Sequence, residues 1–231
     1  MKLKSNIGMI EIVAKGLGPL KERAVFVGGA TVALYIGKSS SVTVRPTDDV
    51  DCVVEITSRQ DYHDLQAALE KSGFRHSKDE KAPICRMDFS GLKVDIMPSD
   101  PRILGFSNKW YQEGIKNAIE TKLPNGDKVQ IFSLPYFVAT KLEAFFGRGQ
   151  GDFRLSSDFE DIVTVLVGQK DFEALQSAPD AVKAYLKKHF RAFVGDPVFI
   201  EALSAHLDPG PDRQKMAEKL LDWINGFLVE G

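Results

Sequence analysis

The hydrophobic pattern of the chain changes character at Ser133. Before it, short apolar runs end in glycine, asparagine or aspartate turns, as strands do; after it, apolar residues recur at helical spacing almost throughout. That switch predicts an α+β protein in two parts, a small mixed β-sheet core over residues 1–132 and a helical C-terminal lobe over 133–231. A chain of 231 residues with 43% apolar content can bury proper cores in both. No internal repeat or low-complexity tract argues for a solenoid or a disordered arm.

Within the first part the spacing predicts a helix over 7–16, a strand over 24–27 running straight into Gly28-Gly29, and a helix over 30–35. The glycine pair therefore occupies a strand-to-helix turn, where bare backbone N–H groups suit phosphate. Loop character is expected at 37–41, and a strand opens at Asp49. A helix over 61–72 and a hairpin of 84–89 with 92–97 follow, the latter turning on Ser90-Gly91 and setting Arg86 opposite Asp95. A helix over 109–120 and a strand over 128–132 complete this part. The second carries helices over 135–146, 158–167, 181–193 and 213–228.

The chemistry concentrates on acids. Asp49 and Asp51 open the apolar run Val50-Asp51-Cys52-Val53-Val54, and residues two apart on a strand face the same side, so both carboxylates can serve one cation. Hard oxygen ligands favour Mg2+. Asp95 interrupts a second apolar strand and must meet either a cation or Arg86, since a buried carboxylate without a partner is costly. The acids precede their apolar run, the reverse of the order in haloacid-dehalogenase-like phosphatases. Phe26-Val27-Gly28-Gly29-Ala30 lacks the third glycine of a dinucleotide fingerprint.

In the helical part, Lys141 falls within the stripe of Leu134, Phe137, Val138 and Phe145, so its ammonium either snorkels or enters a polar pocket that can receive a triphosphate. Asp158 borders the stripe of Phe159, Ile162, Val165 and Leu166, and is equally suited to capping its helix. Asp161 is expected to turn further towards the polar side of that helix. Arg148 and Arg154 lie in a glycine-rich connection that reads as a flexible loop, and a phosphate contact competes there with plain solvation. The cluster Lys187-Lys188-His189-Phe190-Arg191 reads as a solvated helix face. His63, His76, His189 and His206, with Cys52 and Cys85, show no zinc-site spacing.

These stretches together resemble the nucleotidyltransferase superfamily of polymerase-beta-like fold, in particular its AbiEii/AbiGii toxin-like branch. The resemblance rests on Phe26 to Leu34 around Gly28-Gly29, on Arg45-Pro46-Thr47-Asp48-Asp49-Val50-Asp51, on Val94-Asp95-Ile96, on Thr140-Lys141-Leu142-Glu143-Ala144 and on Ser157-Asp158-Phe159-Glu160-Asp161-Ile162. It implies that Gly28 and Gly29 hold nucleotide phosphates, that Asp49, Asp51 and Asp95 bind Mg2+, and that Lys141 and Asp158 complete the catalytic set. The superfamily's turn serine is replaced by Gly29, for which Thr31 or Thr47 can compensate.

The activity so implied is transfer of a nucleoside monophosphate from an NTP to an acceptor hydroxyl, with RNA or tRNA as acceptor and an antitoxin protein as partner. The alternatives are modification of a small molecule of antibiotic type, or a non-catalytic nucleotide-binding module. A net charge of −2 argues against an obligate nucleic-acid scaffold while permitting a local basic groove. Two cysteines, a start without a signal-peptide apolar core and no membrane-length apolar stretch lead to an expected cytoplasmic location.

Overall fold

A seven-stranded mixed sheet, in the order β3-β4-β5-β2-β1-β7-β6, organises the first part of the chain in the computed structural model. Residues 5–36, 42–56, 58–169 and 172–229 are described, and the loop expected at 37–41 lies outside them. The strands are β1 (Ala24–Val27), β2 (Asp49–Val54), β3 (Arg75–His76), β4 (Arg86–Phe89), β5 (Leu92–Pro98), β6 (Ala118–Lys122) and β7 (Lys128–Phe132). Helices α1 (Asn6–Leu17), α2 (Val32–Tyr35), α3 (Arg59–Lys71), α4 (Pro101–Leu104) and α5 (Tyr111–Lys116) accompany them. The chain divides into two compact units, Met1–Leu34 with Arg45–Ser133, and Tyr35–Val44 with Leu134–Gly231.

The centre of the sheet is dry, which is why β1 and β2 read as apolar runs rather than alternations: Val25, Phe26, Val27, Val50, Cys52, Val53 and Val54 are all buried. β2 lies antiparallel to β1 and parallel to β5, pairing Val27 with Asp51 and Asp51 with Asp95. The β4–β5 hairpin turns on Ser90 and Gly91, whose φ values of 50° and 75° give the two-residue turn that matches strand twist. Its register pairs Arg86 with Asp95, as the sequence predicts.

One expected element changes type. The helix expected over 109–120 stops at Lys116, and Ala118–Lys122 becomes β6, antiparallel to β7 across the turn at 124–127. Asn125 and Asp127 hydrogen-bond each other there, and β7 offers β6 a complete ladder that a short surface helix cannot match.

The second unit is helical: α6 (Leu134–Phe146), α7 (Ser157–Val167), α8 (Glu173–Gln176), α9 (Asp180–Val194), α10 (Pro197–Ala205) and α11 (Arg213–Val229). Its core is a cluster of rings in which Phe145, Phe153, Phe159, Phe193 and Phe199 meet at tilted and edge-on angles. Among the described residues no helix is long and apolar enough to cross a membrane.

Candidate functional site

Sheet register brings three acids together. Asp49 and Asp51 share one side of β2 because they are two residues apart, and the parallel pairing with β5 sets Asp95 beside Asp51. One carboxylate oxygen from each lies within 4.8 Å of the other two. Cys52 and Cys85 are buried nearby, and burial pushes both thiols up, Cys85 to about 12, so neither offers a thiolate nucleophile.

The strand-to-helix turn abuts this cluster. Gly28 has φ 74° and ψ −165°, a conformation that glycine adopts almost alone, and a Cβ there would sit 2.0 Å from Asp51 Oδ2. Its carbonyl accepts from the Thr31 amide at 3.3 Å and the Thr31 hydroxyl at 2.8 Å. Thr31 is fully buried, and its hydroxyl braces the turn. The Thr47 hydroxyl likewise donates to the Asp49 carbonyl at 3.0 Å. Asn6 holds the approach to β2, donating to the Arg45 carbonyl and accepting from the Thr47 amide. Nothing in the sequence around Asn6 signals that role, which exists only once α1 lies against residues 45–47.

Arg86 completes the cluster. Its Nε donates to Asp95 Oδ1 and its Nη2 to Asp95 Oδ2, both at 2.7 Å, while the same Nη2 reaches Asp49 Oδ2 at 2.9 Å. Bonding to Asp95 outweighs the cost of burial and holds the guanidinium still more firmly protonated than usual. The salt bridge to Asp95 and membership of the acidic cluster, alternatives from sequence alone, therefore coexist.

The second unit holds its own ionic network. Lys141 is buried, with Nζ 2.9 Å from Asp158 Oδ1 and 2.5 Å from Asp161 Oδ2. Burial works against its charge, but Asp161 and Asp158 overcome it and raise the pKa. Burial also works against the Asp158 charge, yet the Arg148 and Lys141 bonds win and bring its pKa to about 2. Arg148 grips Asp158 with two parallel bonds at 2.8 Å, and Arg154 pairs with Glu201.

Three expectations change here. Asp161 faces Lys141 rather than solvent, because α7 is buried on nearly every side and has no polar face to offer. The 147–156 connection is not a loose linker: Gly149 and Gly151 amides bond back to α6 carbonyls, and Asp152 takes the amides of Arg154 and Leu155. Arg148, for which the sequence leaves a phosphate contact and solvation in competition, is fixed by Asp158 while its side chain stays 72% exposed.

A mixed sheet carries three converging carboxylates beside a glycine turn, and a helical unit follows it in the chain. A family model described as "Nucleotidyl transferase AbiEii toxin, Type IV TA system" matches residues 12–223, and the chain belongs to that family. No curated protein matches the chain in a direct search. Membership places nucleotidyl transfer, within a toxin–antitoxin system, as the enzyme's activity.

Proposed function

We propose that the chain transfers a nucleoside monophosphate from an NTP to an acceptor hydroxyl, with RNA, including the acceptor end of tRNA, as the acceptor and Mg2+ as the cofactor. The observation that carries the metal reading is the convergence of Asp49, Asp51 and Asp95 within 4.8 Å. Their all-oxygen donor set suits a hard cation, and the missing side chain at Gly28 leaves the space beside Asp51 that a Cβ would fill. When bound, Mg2+ supplies neutralisation of charge on the phosphate oxygens.

The acceptor oxygen attacks the α-phosphorus, the bond to pyrophosphate breaks, and the hydroxyl proton passes to a carboxylate of the triad. Gly28 and Gly29 present backbone to the nucleotide phosphates, while Thr31 and Thr47 hold that backbone and β2 in place. Lys141 and Asp158 complete the catalytic set in this reading, and the exposed guanidinium of Arg148 joins their buried ion pair. An antitoxin protein, as the family's system entails, and a cytoplasmic location complete the reading.

The test is incubation of the protein with each of four α-labelled NTPs and, separately, total RNA, protein and metabolite fractions. Label in RNA that disappears with EDTA and falls more than about a hundredfold in Asp51→Asn is expected, since even outer partners of a metal ligand are worth 10–100-fold. Label in a small metabolite instead supports the antibiotic-type alternative, and no label in any fraction refutes transfer.

A further inference from the structure

Arg86 occupies an unusual place for a cation. Its side chain is 17% exposed, and it lies against Asp95 at 10% and Asp49 at 35%. Three carboxylates against one guanidinium leave the cluster with a formal charge of −2, which one divalent cation neutralises. The same guanidinium that balances the acids therefore stands where it must repel that cation.

Its two attachments are unequal. Arg86 and Asp95 are cross-strand partners in a hairpin whose turn fixes the register, and the fork engages both oxygens of Asp95. Asp49 is held by a single bond, through an Nη2 that already serves Asp95, and its carboxylate is the more exposed of the two. Of the two partners, Asp49 is the one that can be given up without disturbing the sheet.

The geometry points to Arg86 as the resident counter-cation of the carboxylate site: it gathers Asp49 and Asp95 in the metal-free protein, yields Asp49 to an arriving divalent cation while keeping Asp95, and thereby sets cation affinity. This assignment rests on the metal reading above and adds a positioning residue to it. Arg86 acts through the carboxylates and touches no substrate. The two functions have opposite signs, because removing the guanidinium disfavours the empty site and favours the filled one.

The test uses the full chain with Mn2+ as probe, reading free Mn2+ by electron paramagnetic resonance and thermal melting in EDTA and in saturating Mn2+. Arg86→Gln is expected to bind Mn2+ about tenfold more tightly, the order set by repulsion of a divalent ion a few ångströms from a unit charge. It is also expected to melt earlier than wild type in EDTA and to gain more from Mn2+. Arg86→Lys, which keeps the charge without the fork and preserves the fold if the glutamine variant does not, is expected to melt earlier in EDTA with a smaller gain in affinity. Equal or weaker Mn2+ binding in both variants overturns the counter-cation role. Failure of the wild type to bind Mn2+ in a manner lost in Asp51→Asn refutes the metal reading itself, which separates the two.

Discussion

Gly28→Ala tests whether the glycine turn and the acids form one site. The added Cβ would lie 2.0 Å from Asp51 Oδ2 and 2.9 Å from its Cγ, and ordinary contact begins at 3.4 Å, so that oxygen must move by the difference, about 1.4 Å. The neighbour is the end of a side chain rather than backbone, so the fold survives while the carboxylate turns away. The backbone cost is about 1–3 kcal/mol, because φ 74° with ψ −165° is open to glycine almost alone. A metal ligand tolerates only about 0.2 Å, and misplacement by about 1 Å costs about a hundredfold in rate.

The expected outcome is thus a modest fall in the urea midpoint together with Mn2+ affinity weakened more than about tenfold and label transfer reduced about a hundredfold. Gly91→Ala is the comparator: it also has positive φ, at 75°, but nothing within 4 Å, so it should lose stability and keep Mn2+ binding. Wild-type Mn2+ affinity in Gly28→Ala would refute the reasoning, since it would mean that the Asp51 oxygen facing the turn holds no cation.

Lys141→Met removes the ammonium that Asp158 and Asp161 share and should cost about 3–5 kcal/mol by urea denaturation, with Lys141→Met/Asp161→Leu recovering part of it; a loss below about 1 kcal/mol contradicts a structural clamp. Asp158 carries a pH signature. Its pKa falls on folding from 3.8 to about 2, so its contribution, about 2 kcal/mol, is complete above pH ~4 and is lost as pH drops towards 2. Arg148→Gln should shrink that acid-induced loss, measured as the urea midpoint against pH; an unchanged profile refutes the Arg148–Asp158 assignment.

Local rules carry far in this chain. The runs at 24–27 and 128–132, the Ser90-Gly91 hairpin and the pairing of Arg86 with Asp95 follow from strand patterning and turn chemistry, which depend on residues close in sequence. The common face of Asp49 and Asp51 follows the same way. β6 escaped because its residues, Ala118 to Lys122, have no strong preference until β7 lies beside them. Asp161 escaped because helical periodicity assumes a wet face, and α7 has none.

The sequence by itself therefore determined the kinds of element, the acids and glycines that can do chemistry, and the family they resemble. Tertiary structure decided which of them meet. Asp51 and Asp95 are neighbours only because β2 and β5 pair in parallel across a long crossover, and no local pattern specifies such a pairing. Likewise Lys141 has its charge held by Asp158 and Asp161 only because α6 packs on α7, and Arg86 reaches Asp49 only across the intervening β5. Charge and periodicity are properties of residues, whereas the field at a carboxylate belongs to whatever the fold brings within a few ångströms of it.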